Sequence, residues 1–372
     1  MRIGFVIYGR LDTVTGGNLY DDFLIDNLRR RGHDLEIISL TPGTYLHKVA
    51  QGFSPKLSTQ LLGGNFDVII QDELCHPSLF LLNRMLRRRR RPYLVALVHH
   101  LFSRERHHRL LGTLFSIVEN RYLRAVDGFI YNSATTGALV NSVLLRNKPN
   151  VIASPSGSRF NFIMSDEEIG RRARQPGPLR LLFMGNIIAR KGLMPLLYAL
   201  STLESRYWRL TVVGSTEFDP GHSATVITLM HELQMEKQVD FLGAVDDDQL
   251  VEMLKTHQVF CMPFAYEGFG IAMLEAMSCG QIPIVSSEGA APEMVRHGEN
   301  GYIIAPGNEN DVSEALIGLY HDRTNLTQLG ISARSSYEDA PDWQDTADAV
   351  ENFLQTLVGT PGFQPAPGTL AA

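Results

Sequence analysis

Two glutamates separated by eight positions, Glu267 and Glu275, lie in the segment PFAYEGFGIAMLEAMSCG at 263–280. Glu267 ends a loop. Gly268 and Gly270 let backbone approach a ligand, and Ile271 starts a helix that turns Leu274 and Met277 inward. The free N–H groups at a helix start carry about half a positive charge and bind phosphate. Helical side chains lean toward the N-terminus, so the Glu275 carboxylate can point back toward the same pocket. Two carboxylates would then meet the hydroxyl-rich part of a ligand whose phosphates sit on the helix start. Taken without further context, the same two residues also fit a loop charge and a surface helix residue.

Residues of this kind act only if strands deliver them. Short, nearly all-apolar runs alternate with helix-period segments, which is the pattern of parallel βαβ units. IGFVIYG, LEIISL, FDVIIQ, YLVALV and GFIYNS form a first series; LRLLFMG, RLTVVG, VDFLG, VFCMPF and IPIVSS form a second. After the first strand, TVTGG leads into a helix at 18–31 with Leu19, Phe23, Leu24 and Leu28 on one face, closed by Gly32. The Pro/Gly-bearing stretch around 154–178 interrupts the rhythm. The expected organisation is a domain at 1–155, a linker at 156–178, a second domain at 179–338, a helix at 339–358 packing back across the linker, and a flexible tail at 359–372. That helix carries Trp343, Ala347, Val350, Phe353 and Leu354 at helical spacing. In such sheets ligands bind beyond the carboxyl ends of the strands. The loops to examine are therefore 185–192, 214–217, 243–246, 266–275 and 286–293.

Around the two glutamates the residues resemble family 4 of the retaining glycosyltransferases, the glycosyl transferases group 1. The E-x7-E motif at Glu267 and Glu275 carries the likeness, together with FMGNIIARKG, VVGS, VDFLGAV, the run GQIPIVSSEGAAPEMVRHGENGYIIAPGN and the Trp343 helix, all in order. The resemblance implies a GT-B fold, an α/β architecture of two Rossmann-like doubly wound parallel-sheet domains facing a cleft. The second domain would bind a nucleotide-sugar and the first an acceptor.

By that likeness Glu275 holds ribose hydroxyls and Glu267 the transferred sugar. Lys191 and Arg190 meet the diphosphate, helped by the backbone of Gly268, Phe269 and Gly270. Gly185 lies beside them, Gly243, Ala244 and Val245 line the base, and Gly214 permits close approach of the nucleotide. In the first domain Gly16 and Gly17 match the family's Gly-Gly loop. His99, with His100 as the fallback, stands at the strand end where members contact the donor sugar. One position departs from the pattern: most members carry arginine directly after the glycine equivalent to Gly185, and here Asn186 stands in its place. An amide donates a hydrogen bond but brings no charge.

The implied reaction is retaining transfer of a hexose from a UDP- or GDP-sugar to a hydroxyl, with no metal and no cofactor beyond the nucleotide-sugar co-substrate. Two alternatives stay open at this point: a GT-B epimerase or phosphorylase, and a nucleotide-sugar-binding subunit without activity of its own. A dinucleotide-dependent dehydrogenase is disfavoured, because GRLDTVTGG follows the first strand where a GxGxxG fingerprint would be needed.

The chain has 372 residues, 44% of them hydrophobic and 20% charged, enough to bury two ordinary cores. Its net charge of −6 argues against nucleic acid as a partner. Between Arg84 and Arg124, however, eleven arginines face only Glu105 and Glu119. Arginines 104, 106 and 109 stand beside Leu110, Leu111, Leu114 and Phe115, a composition that suits contact with an anionic membrane as well as it suits a solvated face. The expectation is a cytoplasmic protein, peripheral at the inner face of the cell membrane, with a lipid-linked or envelope-glycan acceptor. Cys75, Cys261 and Cys279 are too few and too scattered for a disulfide framework or a zinc site.

Overall fold

The structure is a computed structural model that describes residues 1–10, 16–87, 92–104, 109–160, 162–263 and 266–359. It divides into two compact units: Met1–Pro155 joined by the helix Trp343–Gly359, and Ser156–Asp342.

The first unit holds six parallel strands among its described residues: β1 (Arg2–Tyr8), β2 (Asp34–Leu40), β3 (Val68–Asp72), β4 (Tyr93–Val98), β5 (Gly128–Tyr131) and β6 (Asn150–Ile152). Their order is β2-β1-β3-β4-β5-β6. All five residues of β3 are buried, as a strand covered on both faces requires. One face packs Leu57, Leu61, Leu79, Leu82, Tyr122 and Leu123 from helices Pro55–Gly63, His76–Leu86 and Arg109–Ala125. The other packs Tyr20, Leu24 and Leu28 of helix Gly16–Arg30 with Val350, Leu354 and Leu357 of helix Trp343–Gly359. The first helix thus buries Tyr20 and Ile25 with Leu24 and Leu28, while Leu19 and Phe23 are only half-buried. Phe23 lies against the Trp343 ring at 4.5 Å. Thr346 donates to the Ser154 carbonyl at 2.5 Å, and His33 meets Glu351 at 2.7 Å. These contacts seat the returning helix on the first unit.

The second unit repeats the plan with β7 (Leu179–Met184), β8 (Trp208–Val213), β9 (Val239–Gly243), β10 (Val259–Met262), β11 (Ile282–Ser286) and β12 (Tyr302–Ile304), in the order β12-β11-β10-β7-β8-β9. The order reverses between β7 and β10, the position where doubly wound sheets open a crevice.

One expectation changes, and four short elements join those the sequence displays. The 156–178 stretch is no linker: Ser165 caps helix Asp166–Ala173 through a capping box with Glu168, and Ile169 is buried in the second core. Arg172, also buried, donates to the carbonyls of Gly280 at 2.6 Å and Leu254 at 3.4 Å. Polar composition concealed a short helix with few apolar residues. Strands β6 and β12, three residues each, are too short to display a period. Helices Tyr45–Gln51 and Pro55–Gly63 also escaped notice, although Thr44 and Ser54 cap them and Pro55 opens the second. The proposed tail lies outside the described residues apart from Gly359, which ends the last helix. Among the described residues no helix is long and apolar enough to cross a membrane.

Candidate active site

Strands β7 and β10 deliver their following loops to the point where the second sheet reverses. After β7, residues 185–188 lead into the turn Ala189–Lys191, which Gly192 closes in the left-handed region at φ 80°. The aliphatic stem of Lys191 passes over Gly185, where an added Cβ would lie 3.6 Å from Lys191 Cε. Lys191 Nζ donates to the Glu267 carboxylate. Arg190 stands beside them, with its Nη1 3.7 Å from Glu267 Oε2 and donating to the Tyr266 carbonyl at 3.4 Å. Lys191 and Glu267 are only 15% and 14% exposed. Burial pulls the lysine's pKa down, while the facing carboxylate pushes the other way. A cation held this way is matched to an anion and gains most when a more highly charged one arrives.

Gly289 fixes where Glu267 sits. Its φ is +88°, and a Cβ there would stand 2.0 Å from the Glu267 carbonyl, which accepts from Ala290 N–H at 3.0 Å. Only glycine lets the small-residue loop after β11 lie against this backbone. Gly270 at φ +102° then starts helix Ile271–Ser278 with no side-chain cap, and Gly268 and Phe269 are buried just before it.

Inside that helix Glu275 is 4% exposed, which excludes the surface-residue reading. Its Oε1 has no hydrogen-bond partner among the described residues. Burial pushes its carboxyl up to about 7, moderated by Arg159. Such a carboxylate is costly to leave unsatisfied and ready to accept hydroxyl groups.

At the neighbouring strand ends Gly214 N–H donates to the Gly243 carbonyl at 2.8 Å. A Cβ on Gly214 would come within 2.0 Å of the Gly185 carbonyl. The close approach that requires glycine at 214 is therefore to the protein's own backbone. Gly243, at φ +69°, begins the Ala244–Val245 bend that Asp246 ends as an N-cap. Asn186 is half-buried beside Gly185, and its carbonyl accepts from Ile188 N–H at 2.9 Å.

In the first unit, β4 places His99 against two other elements. Its Nε2 meets Asp21 Oδ1 at 2.8 Å, and the Tyr20 ring meets it edge-on at 5.3 Å. Gly17 lies over the ring, since a Cβ there would touch His99 Cδ2 at 3.5 Å, and Asn132 donates to the His99 carbonyl at 2.8 Å. Burial alone would lower this imidazole, but Asp21, joined by Asp72 and Glu73, outweighs it, and the His99 pKa stands above its ordinary 6.5. Asp72, at the end of β3, is itself pushed up to about 6 by burial and then by Asp21. Gly16 opens the first helix, and His100 lies half-buried one position beyond His99. Replacing Asp21 by asparagine is expected to lower the His99 pKa, which the histidine ring protons report directly by NMR titration. The alkaline limb of any His99-dependent activity should move to lower pH with it.

No metal-ligand cluster is legible in the sequence, yet the structure gathers one buried triad. Glu73, His76 and Glu119 bring ligand-type atoms within 4.8 Å of one another. Burial, followed by the Glu73 charge, raises the Glu119 carboxyl to about 8, and burial lowers the His76 imidazole to about 4. Ser103 also donates to Glu119. A proton on Glu119 and a neutral His76 relieve the charge of this triad at neutral pH.

Sequence reasoning missed Asp21, Asp72 and Gly289 as site residues. Gly289 had a signal, the small-residue run after a strand, whereas the two aspartates are brought to His99 only by the fold.

Two doubly wound parallel sheets with their reversal points so equipped define a GT-B protein. Sucrose-phosphate synthase of Thermosynechococcus elongatus superposes with a TM-score of 0.80 at 18% identity, over 96% of this chain and 99% of that one. The family model described as glycosyl transferases group 1 matches residues 164–336, most of the second unit.

Among curated proteins, the GDP-mannose-dependent alpha-(1-6)-phosphatidylinositol monomannoside mannosyltransferase of Mycobacterium tuberculosis is 27% identical over 50% of this chain and 50% of its own length. The MMP alpha-(1->4)-mannosyltransferase of Mycolicibacterium hassiacum is 26% identical over 84% of this chain and 76% of its own. The chain spans between about a third and a half of the length of the first curated relatives it matches.

Proposed function

We propose that the chain is a retaining hexosyltransferase that moves a sugar from a UDP- or GDP-linked donor to an acceptor hydroxyl. The observation that carries this is the largely buried Lys191–Glu267 ion pair, flanked by Arg190, in the same unit as Glu275, whose Oε1 has no partner among the described residues. A nucleotide-sugar offers the matching groups: a diphosphate for Lys191 and Arg190, ribose hydroxyls for Glu275, and sugar hydroxyls for Glu267. When the diphosphate departs, negative charge grows on its oxygens while the sugar becomes oxocarbenium-like. Fixed cations in a partly dried site stabilise that growth without reorganising. Lys191 supplies a compact charge and Arg190 a planar one. Asn186 adds a hydrogen-bond donor where most members place an arginine, so Arg190 carries more of the burden. These groups supply the electrostatics without a bound divalent ion. On the first unit His99 is assigned to the donor sugar, its ring oriented by Asp21.

The acceptor in this reading is lipid-linked or part of an envelope glycan, with the chain at the inner membrane face. The phosphatidylinositol mannoside in the name of the M. tuberculosis relative supports a lipid acceptor. A panel of nucleotide-sugars tested by thermal shift checks the donor class, because a ligand of the folded state raises apparent stability by RT ln(1 + [L]/Kd). One base and sugar should raise the melting temperature above the rest. A flat panel at millimolar donor would overturn the proposal.

A further inference from the structure

The helical layer on one face of the first sheet differs in charge, among the described residues, from the layer on the other face. It comprises helices Tyr45–Gln51, Pro55–Gly63, His76–Leu86 and Arg109–Ala125, with His76–Leu86 packed against each of the other three. The only carboxylate in these four helices is Glu119, which is 1% exposed. Lys56, Arg84, Arg121 and Arg124 are exposed. The opposite layer mixes signs, with exposed Asp22, Asp26, Asp345 and Asp348 beside Arg29 and Arg30.

The same layer turns large apolar side chains outward. Leu46, Phe53, Met85, Leu111, Leu114 and Ile117 are exposed, Leu46 by 76% and Phe53 by 67%. Leu114 and Arg121 share one face of helix Arg109–Ala125, two turns apart. Isolated exposed leucines are ordinary. Five on adjoining helices, with Phe53 in the turn between two of them and no exposed carboxylate on those helices, form a patch. Phe115, grouped with these residues in the sequence, faces inward at 9% exposure, and the side chains of 104–110 and residues 88–91 lie outside those described.

We infer that this layer is a docking face for an anionic lipid bilayer, with the apolar side chains entering the headgroup boundary and the arginines and lysine facing lipid phosphates. It deepens the membrane reading given above by naming the surface. Charge complementarity selects the occupant. A second copy docked through the same face would set Arg84, Arg121 and Arg124 against like charges. A nucleic acid would use the arginines and leave Leu46, Phe53 and Leu114 without a partner.

The test is co-sedimentation of the full chain, without donor, with vesicles of phosphatidylcholine alone and of two parts phosphatidylcholine to one part phosphatidylglycerol. Binding should require phosphatidylglycerol and weaken as salt rises. Arg84→Ser with Arg121→Ser should weaken it by about 25-fold, roughly fivefold for each charge removed. Met85→Ser with Leu114→Ser should weaken it while the salt dependence persists. Asp26→Asn with Asp345→Asn, on the opposite layer, should leave it unchanged. No phosphatidylglycerol-dependent binding by the folded chain, or equal binding by all variants, would overturn the inference. So would a dimer that Leu114→Ser dissolves, which would give the face to a second copy, or retention on RNA without vesicle binding. Because the assay uses no sugar donor, its failure leaves the transferase reading standing, and a flat donor panel leaves this one standing.

Discussion

Lys191→Ala is expected to lower the rate of sugar transfer by about a hundred- to a thousandfold with little change in donor affinity, the signature of an interaction that strengthens in the transition state. The lysine is buried against Glu267, and that burial pulls its pKa down. The incoming diphosphate restores its charged form more fully than a single carboxylate does. Removing it leaves Arg190 as the neighbouring cation, 3.7 Å from the same carboxylate, so residual activity should depend on Arg190. Glu267→Gln separates two roles. It keeps the shape, breaks the ion pair and leaves Lys191 free for phosphate, so donor binding should hold or tighten while turnover falls. Steady-state kinetics with circular dichroism as the control for folding decides the matter. Turnover unchanged in both variants would remove these residues from the mechanism.

Glu275→Gln should stabilise the ligand-free protein at alkaline pH and weaken donor binding, a combination that a purely structural glutamate would not produce. In the unfolded chain this carboxyl ionises near 4.5, whereas in the folded one burial holds its proton up to about 7. The unfolded state therefore releases its proton first as pH rises. The stability tied to Glu275 is fully present below about 4.5 and lost by the time pH has passed about 7. At order of magnitude the loss is about 3 kcal/mol. Glutamine removes this dependence, so chemical denaturation should show parent and variant converging near pH 4.5 and separating toward pH 8, with the variant more stable. Donor affinity should fall by about 10- to 100-fold, the scale of a hydrogen bond to a charged group. Equal stability of the two proteins at pH 8 would mean that Glu275 already has a partner.

What the sequence exposed was governed by distance along the chain. Glu267, Gly270 and Glu275 occupy one loop and one helix start, so local spacing was enough to single them out, whereas Lys191 stood out only through the resemblance carried by FMGNIIARKG. The strand series was equally legible, because parallel strands covered on both faces are short apolar runs whatever their partners. Asp21 and His99 are 78 positions apart and meet only through the order β1, β3, β4. Nothing in the identity of Asp21 marks it off from the exposed Asp22 beside it. The Glu73, His76 and Glu119 triad joins a strand end to a distant helix in the same way. The need for glycine at 214 was legible as a position of close approach, but its approach to the Gly185 backbone is made only by the fold.

The buried arginine in the segment first taken for a linker has a practical consequence. Arg172 reaches the carbonyl of Leu254 in the last turn of helix Asp247–Thr256 and that of Gly280 just beyond helix Ile271–Ser278, which carries Glu275. A fragment begun at 179, where the second strand series opens, would take Arg172 from the Gly280 carbonyl, leave the Leu254 carbonyl to Gln281 alone and uncover the pocket that Ile169 fills. A fragment begun at Ser156 would keep them. The helix that bears Glu275 is thus anchored by a piece of chain that, read by composition, looks disposable.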